Sequence, residues 1–450
     1  MLLATPPPVL GGESMLRFLA AVTVLLLLAR GLSWLAGLVR LPAIVGELAT
    51  GVVLGPSLLG AAAPGLAGWL LPPQPEQIHL LDALGQLGIA LLVGLTGSHL
   101  DVEMIRRRSA TIGRVSLGGL IIPLGFGIAL GFVLPSVLFG GSGGRGVFAL
   151  FLGVAMCVSA IPVIAKTLTD MRLMHRDVGQ LALASATVDD AVGWTLLSVV
   201  SAVAISGAGG SATVRAVLYL AAFLLIATVI GRPLIRWCLR SAGRAETAGP
   251  TVITAVLVVL IGATTTQALG MEPIFGAFVA GILVGLPGAA DMTKLAGLRT
   301  VVLSVLAPIF LAVAGLRMDL TALAHPSVAL AGLAVLALAV VGKSAGVYLG
   351  SRLSRLGHWE ALALGAALNS RGVVELVVAL TGLRLGVLNT ASYTIVALVA
   401  IATSVLVPPL LRVTMARVEL GEGERLRQSQ HEAWDGILAT AGQRLPTAAE

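Results

Sequence analysis

The sequence predicts an all-α polytopic membrane protein of about 13 transmembrane helices, built from inverted-topology repeats with two broken helices. Three observations lead there. The chain of 450 residues is 57% hydrophobic and only 11% charged, with a mean hydropathy of +0.99. That is too little charge to cover a soluble surface of this size. Apolar runs of about 18 or more residues recur from end to end, each able to cross a hydrocarbon core of roughly 30 Å. Barrel strands would be shorter and would alternate in polarity. Finally, two stretches far apart in the chain share the same glycine spacing.

Taken in order, residues 1–14 form an N-terminal segment. "MLLATPPPVLGGESM" has no basic stretch of the kind that opens a signal peptide, so the first apolar run reads as a retained helix. The expected spans are 15–36, 42–60, 79–98, 115–138, 146–166, 178–205, 214–237, 250–269, 273–287, 300–316, 327–351, 359–383 and 391–411. A polar tail, 412–450, follows. The membrane domain is thus 15–411, with repeats near 15–205 and 250–411 joined by the helix at 214–237. The loops after odd-numbered spans, with the span ends that run into them, and the tail hold 22 of the 29 Lys and Arg residues. The positive-inside rule then puts the N-terminus outside and the C-terminus in the cytoplasm. It also accounts for the +7 charge and a pI near 10.2 without nucleic acid as a partner. Cys157 and Cys238 fall in or beside spans and suggest neither a disulfide nor a metal site.

The repeat is specific. "IVGELATGVVLGP" (Ile44 to Pro56) resembles "IFGAFVAGILVGLP" (Ile274 to Pro287), and Gly46, Gly51 and Gly55 match Gly276, Gly281 and Gly285. The next span of each half ends in Gly-x-x-x-Asp, at Gly97 to Asp101 and at Gly315 to Asp319. The copies are seven spans apart, an odd number, so one is inverted relative to the other. Secondary transporters are commonly built this way, with sites near the midplane where helices break. Breaks are expected in span five, at Pro162, and in span twelve, at Asn369, Ser370, Arg371 and Gly372.

Five ionisable residues stand well inside spans: Asp189, Asp190, Lys343, Arg371 and Glu375. Glu47 is a sixth, nearer an end. Each costs roughly 2.5–3.5 kcal/mol at a helix centre, a burden that a purely structural bundle has little reason to carry. Neighbours on a helix point about 100° apart, so Asp189 and Asp190 divide roles. Lys343 is the obvious partner for one of them. The competing reading, a neutralised glue between helices, does not call for two acids to one lysine. The excess carboxylate is the group able to hold a cation or a proton. Arg371 and Glu375, four residues apart, could simply pair with each other. Asp101, Asp170 and Asp319 sit at span ends, where capping or solvation explains them.

These motifs resemble the monovalent cation:proton antiporter-2 family of sodium/proton and potassium/proton exchangers, over about 40–415. "LPAIVGELATGVVLGPSLLG", "LAPIFLAVAGLRMDL", "ALNSRGVVELVVALTGLRLGVL" and "ATVDDAVGW" carry the likeness, in order. The resemblance implies a dimerisation domain and a mobile core domain whose two broken helices cross, and with it a homodimer. It implies that Asp190 carries the ion and the proton and that Asp189 salt-bridges Lys343. It extends to Ser159 as a ligand, although Ala160 stands where family members often have a further hydroxyl.

The expected function is therefore electrogenic exchange of a monovalent cation, Na+ favoured and K+ as the other candidate, for H+ by alternating access. Withdrawal from water disfavours an ionised carboxylate, so cation and proton compete for it. The alternatives are a proton- or sodium-coupled solute symporter on the same fold, or a cation channel. No enzyme activity and no cofactor are expected; an aspartyl protease would need its acids on facing helices. The expected partners are monovalent cations, protons and the lipid bilayer. The expected place is a cell membrane, a bacterial inner membrane.

Overall fold

A computed structural model describes residues 11–39, 41–72, 75–98, 108–206, 210–419, 421 and 424–425. Asp101 and most of the expected tail lie outside them. The described residues form helices: α1 (Gly12–Leu38), α2 (Ala43–Leu54), α3 (Pro75–Ser98), α4 (Ser109–Val133), α5 (Gly144–Cys157 and Ile161–Asp170) and α6 (Asp177–Ser206). α7 follows at 210–243, then α8 (Gly249–Ala268), α9 (Pro273–Gly285), α10 (Met292–Leu316), α11 (Pro326–Leu353), α12 (His358–Leu368 and Val373–Arg384) and α13 (Thr390–Met415). Helices satisfy every backbone polar group within one segment, which lipid demands.

Among the described residues eleven helices are long and apolar enough to cross a bilayer, or twelve when the bent α12 pair counts as one. The expected count of thirteen is not reached on this measure. The ninth span is the 13-residue helix α9, about 20 Å long. Most of its side chains are buried, so neighbouring helices rather than lipid surround it.

The helices pack as two bundles. α4, α5, α6, α11, α12 and α13 form one; α1, α2, α3, α8, α9 and α10 form the other, and α7 touches α6 on one side and α8 and α9 on the other. The repeat explains the second bundle's symmetry. A Cβ on Gly46 would lie 2.4 Å from the Ser33 nitrogen of α1, and one on Gly51 would lie 2.0 Å from the Ala312 oxygen of α10. In the other copy, a Cβ on Gly276 would meet Gly262 O of α8 at 2.0 Å, and one on Gly281 would meet Gly94 O of α3 at 2.0 Å. Each glycine-rich helix therefore packs on its own predecessor and on the third helix of the opposite repeat. Backbones can approach this closely only where both side chains are missing or small.

Candidate functional site

The site lies where the two breaks meet. In α5, Val158, Ser159 and Ala160 are not helical, and the second half starts at Ile161. Pro162 therefore does not interrupt the helix, as the sequence suggested. It sits in the first turn of the second half, where its missing N–H has no helical acceptor to lose. In α12 the gap is Asn369 to Gly372, as expected. The gaps are bonded to each other. The Ala160 N–H donates to the Ser370 carbonyl at 2.9 Å. Ser159 Oγ lies 2.9 Å from the Leu368 carbonyl and 2.8 Å from Asp189 Oδ2, and its single proton serves one of them at a time.

Breaking two helices exposes four helix ends in the protein interior, and each end needs partners. The C-terminal end of the first α5 half is met by cations. Lys343 Nζ donates to the Cys157 carbonyl at 2.6 Å. Arg371 donates to the Ala155 carbonyl at 2.7 Å and also to the Met156 carbonyl. Positive groups are favoured at this end by the helix dipole. The N-terminal ends face acids: Glu375 lies in the first turn of the second α12 half, and Asp190 interacts with the backbone of Ile161 at the start of the second α5 half.

α6 supplies the paired acids. Asp189 Oδ2 lies 2.6 Å from Lys343 Nζ, with both side chains fully buried. Asp190 is 1% exposed and has no salt-bridge partner among the described residues. Asp189 Oδ1, Asp190 Oδ1, Asn369 Oδ1 and Ser370 Oγ are buried without a protein hydrogen-bond partner. Arg371 and Glu375 do pair, at 3.5 Å, but not along one helix face, because Arg371 sits in the gap. Its carbonyl bonds are shorter than that ion pair. Two cations thus stand against three carboxylates, and the carboxylate left over is Asp190.

A cavity of about 570 Å³ leads toward this crossing between the bundles. Lys166, Asp170 and Arg299 line its outer part, and Ile161 and Thr187 line it next to the crossing. Glu47 faces it from α2. On the opposite face the bundles are tied together. Arg384 at the end of α12 lies 3.2 Å from Glu272 before α9. The Tyr393 hydroxyl of α13 donates to the Ala314 carbonyl of α10 at 2.7 Å. The Asp319 N–H donates to Thr394 Oγ1 at 2.9 Å, while the Asp319 carboxylate caps Thr321, the capping its place at a span end implied.

The sequence did not reveal Thr187, Glu272 or Arg384. Thr187 could have been found by spacing, since it precedes Asp190 by three residues on one helix. The Glu272–Arg384 pair joins residues 112 apart and left no local signal.

Residues 18–416 match the family described as sodium/hydrogen exchanger, transmembrane. The chain belongs to that family. Within it, the chain is 32% identical to the Na(+)/H(+) antiporter NhaS4 of Synechocystis sp., covering 89% of this chain and 97% of that protein. It is 30% identical to Cation/H(+) antiporter 18 of Arabidopsis thaliana over 90% of this chain and 50% of that protein. It is 29% identical to K(+)/H(+) antiporter 1 of Saccharomyces cerevisiae, over 83% of this chain and 43% of that protein. The chain spans about half the length of the plant relatives it matches. The solved structure of the sodium proton antiporter MjNhaP1 from Methanocaldococcus jannaschii has the same fold, with a TM-score of 0.65 at 16% identity, covering 90% of this chain and 97% of that one. Members of the sodium/hydrogen exchanger family are transporters, and the crossing described above lies wholly inside the matched region.

Proposed function

We propose that this protein is a secondary antiporter that exchanges a monovalent cation, Na+ in preference to K+, for H+ by alternating access. One observation carries the reading: Asp190 is a fully buried carboxylate, at the crossing of two broken helices, for which no cationic side chain is left. It must be neutralised by something that arrives through the cavity, either a proton or a cation. Because one carboxylate serves both, they exclude each other, and that exclusion couples the fluxes. Ser159, the carboxylate oxygens and the backbone carbonyls of the gaps supply the oxygens a hard monovalent cation needs.

Lys343 holds Asp189 while the site lacks a cation. A cation that draws on Asp189 as well leaves the lysine ammonium uncompensated and favours loss of its proton. The cycle then moves more protons than cations and is electrogenic. The names of the relatives support exchange over solute symport or a channel, and the coverage of NhaS4 supports Na+. The cavity opens beside Lys166 and Arg299, on the side of the basic loops. The conformation described is thus the one open to the cytoplasm, with the N-terminus outside and the tail inside a cell membrane. The bundle packed on glycine contacts is the side on which two copies dimerise, and the bundle with the broken helices is the part that moves.

The test is proton flux in proteoliposomes on addition of Na+, K+ or Li+ across a range of pH. Saturable, cation-driven proton release with Na+ effective at the lowest concentration is the expected result. Flux of the cations without any proton movement would refute exchange.

A further inference from the structure

The lower part of α7, Arg232–Gly243, carries arginines at every fourth position: Arg232, Arg236, Arg240 and, just past its end, Arg244. Residues four apart lie on one side of a helix, so the four guanidinium groups form a stripe about 18 Å long. Arg236 donates to the Pro287 carbonyl at 2.6 Å, and Arg240 Nε donates to the Gly288 carbonyl at 2.8 Å. These bonds fix the middle of the stripe to the loop after α9. None of the four pairs with a carboxylate among the described residues. A cavity of about 390 Å³ is lined by these arginines together with Trp237 and Ser241. Trp237 is 66% exposed, as suits a ring at the level of lipid headgroups. Above the stripe the same helix exposes Leu225, Val229 and Ile230, and beside its first arginine Leu234.

We infer that this stripe is a binding site for an anionic phospholipid, whose phosphodiester sits among the arginines while its acyl chains lie along the apolar part of α7. Planar guanidinium groups match a phosphate with paired hydrogen bonds, and unpaired ones at a membrane surface attract anionic headgroups. A second copy of the chain does not fit the stripe, because two such rows would repel. A free inorganic anion would leave the adjoining apolar flank unused. Because α7 touches both α6, which carries Asp189 and Asp190, and the glycine-packed bundle, a lipid held there braces the two against each other.

The experiment uses the delipidated full chain in neutral detergent, with added phosphatidylglycerol, phosphatidylcholine or inorganic phosphate. Lipid retained per chain is counted by mass spectrometry, and thermal unfolding is followed in parallel. Phosphatidylglycerol is expected to be retained and to raise the melting temperature, with phosphatidylcholine and inorganic phosphate doing neither. The variant Arg232→Gln/Arg244→Gln removes the two arginines whose side chains make no hydrogen bond among the described residues, so it leaves the carbonyl bonds of the stripe intact. It is expected to weaken phosphatidylglycerol retention by roughly 25-fold, about fivefold per arginine, while melting normally in phosphatidylcholine. Equal retention of the two lipids by wild type, unchanged retention by the variant, or the same stabilisation from inorganic phosphate alone would each overturn the assignment.

Discussion

The two bundles share a repeat but are held together differently. The bundle of α1, α2, α3, α8, α9 and α10 is joined where glycines let backbones touch, as at Gly51 against Ala312 and Gly281 against Gly94. The bundle of α4, α5, α6, α11, α12 and α13 also has such contacts, at Gly118 against Gly346, but adds five buried charged side chains around its broken helices. A glycine contact has one geometry and cannot be switched. An ion pair beside an unpaired carboxylate can be rearranged by a proton or a cation. Under the proposed function the first bundle is the scaffold and the second carries the transport chemistry, and this division can be tested from both sides.

The largest effect is expected at Lys343. Replacing it by Gln leaves Asp189 buried with Ser159 as its remaining partner, and removing one member of a buried ion pair costs about 3–5 kcal/mol. If the lysine also carries a proton, Lys343→Gln keeps partial exchange but loses much of the response to an imposed membrane potential. Measuring melting and voltage dependence on the same protein separates the two. A destabilised variant with unchanged voltage dependence would make Lys343 structural only.

On the scaffold side, Gly281→Val puts side-chain atoms into the α3 backbone, and the strain of such overpacking is about 3 kcal/mol. Gly31→Val, on α1 of the same bundle, is the control: a Cβ there meets nothing within 4 Å, so melting should not fall. Equal loss of stability from both would remove the argument that close backbone contact holds this bundle.

A smaller effect is expected at Glu272. Its pair with Arg384 ties the bundles on the closed face, and Arg384 is 38% exposed on its side chain. Such a pair contributes about 1 kcal/mol or less. Glu272→Gln should therefore melt almost normally yet raise accessibility on that face, read as faster labelling of a cysteine placed at Thr394. Unchanged labelling would mean the pair does not hold the face shut.

The smallest effect concerns the clasp beyond α13. Arg176 Nε lies 3.1 Å from Glu424, and Arg176 also donates to the Val418 and Glu419 carbonyls. Burial works against the Glu424 carboxylate, but the Asp177 and Gly421 amides and the Arg176 guanidinium outweigh it and hold its pKa below the ordinary carboxylate value. A depressed carboxylate stabilises the fold above its ordinary pKa, and that contribution disappears as pH falls through the lowered value. Protection of the Asp177 amide, its hydrogen-exchange rate relative to the intrinsic rate at each pH, should accordingly be high at neutral pH and fall in acid. Glu424→Gln should show the low protection at every pH; wild-type protection in that variant would discount the clasp.

Much of this was legible in the sequence, and the reasons are local. Hydropathy is a property of each segment, so a helix appears near each expected span, although the ninth is too short to count as a crossing and thirteen is not reached. The glycine repeat survives in sequence because a backbone contact tolerates no other residue. Asp189, Asp190, Lys343 and Arg371 stood out because charge inside an apolar run is costly. What the sequence hid depends on distant residues. Pro162 marks the start of a half-helix rather than a break, because the extended residues before it are held by Ser370 across the crossing. Arg371 prefers the carbonyls of α5 to Glu375, and nothing near Arg371 in the chain announces that. α9 is short because protein, not lipid, surrounds it.

The central claim is that proton and cation compete for Asp190. Its most direct test is cation binding to the purified protein, by calorimetry at a series of pH values, with proton release read in the same titration. The account predicts saturable Na+ binding, at least one proton released per ion, and an apparent affinity that weakens by about tenfold for each pH unit on the acid side. Folded Asp190→Asn should show neither binding nor release. Na+ binding that is independent of pH, or that persists in Asp190→Asn with proton release intact, would contradict it.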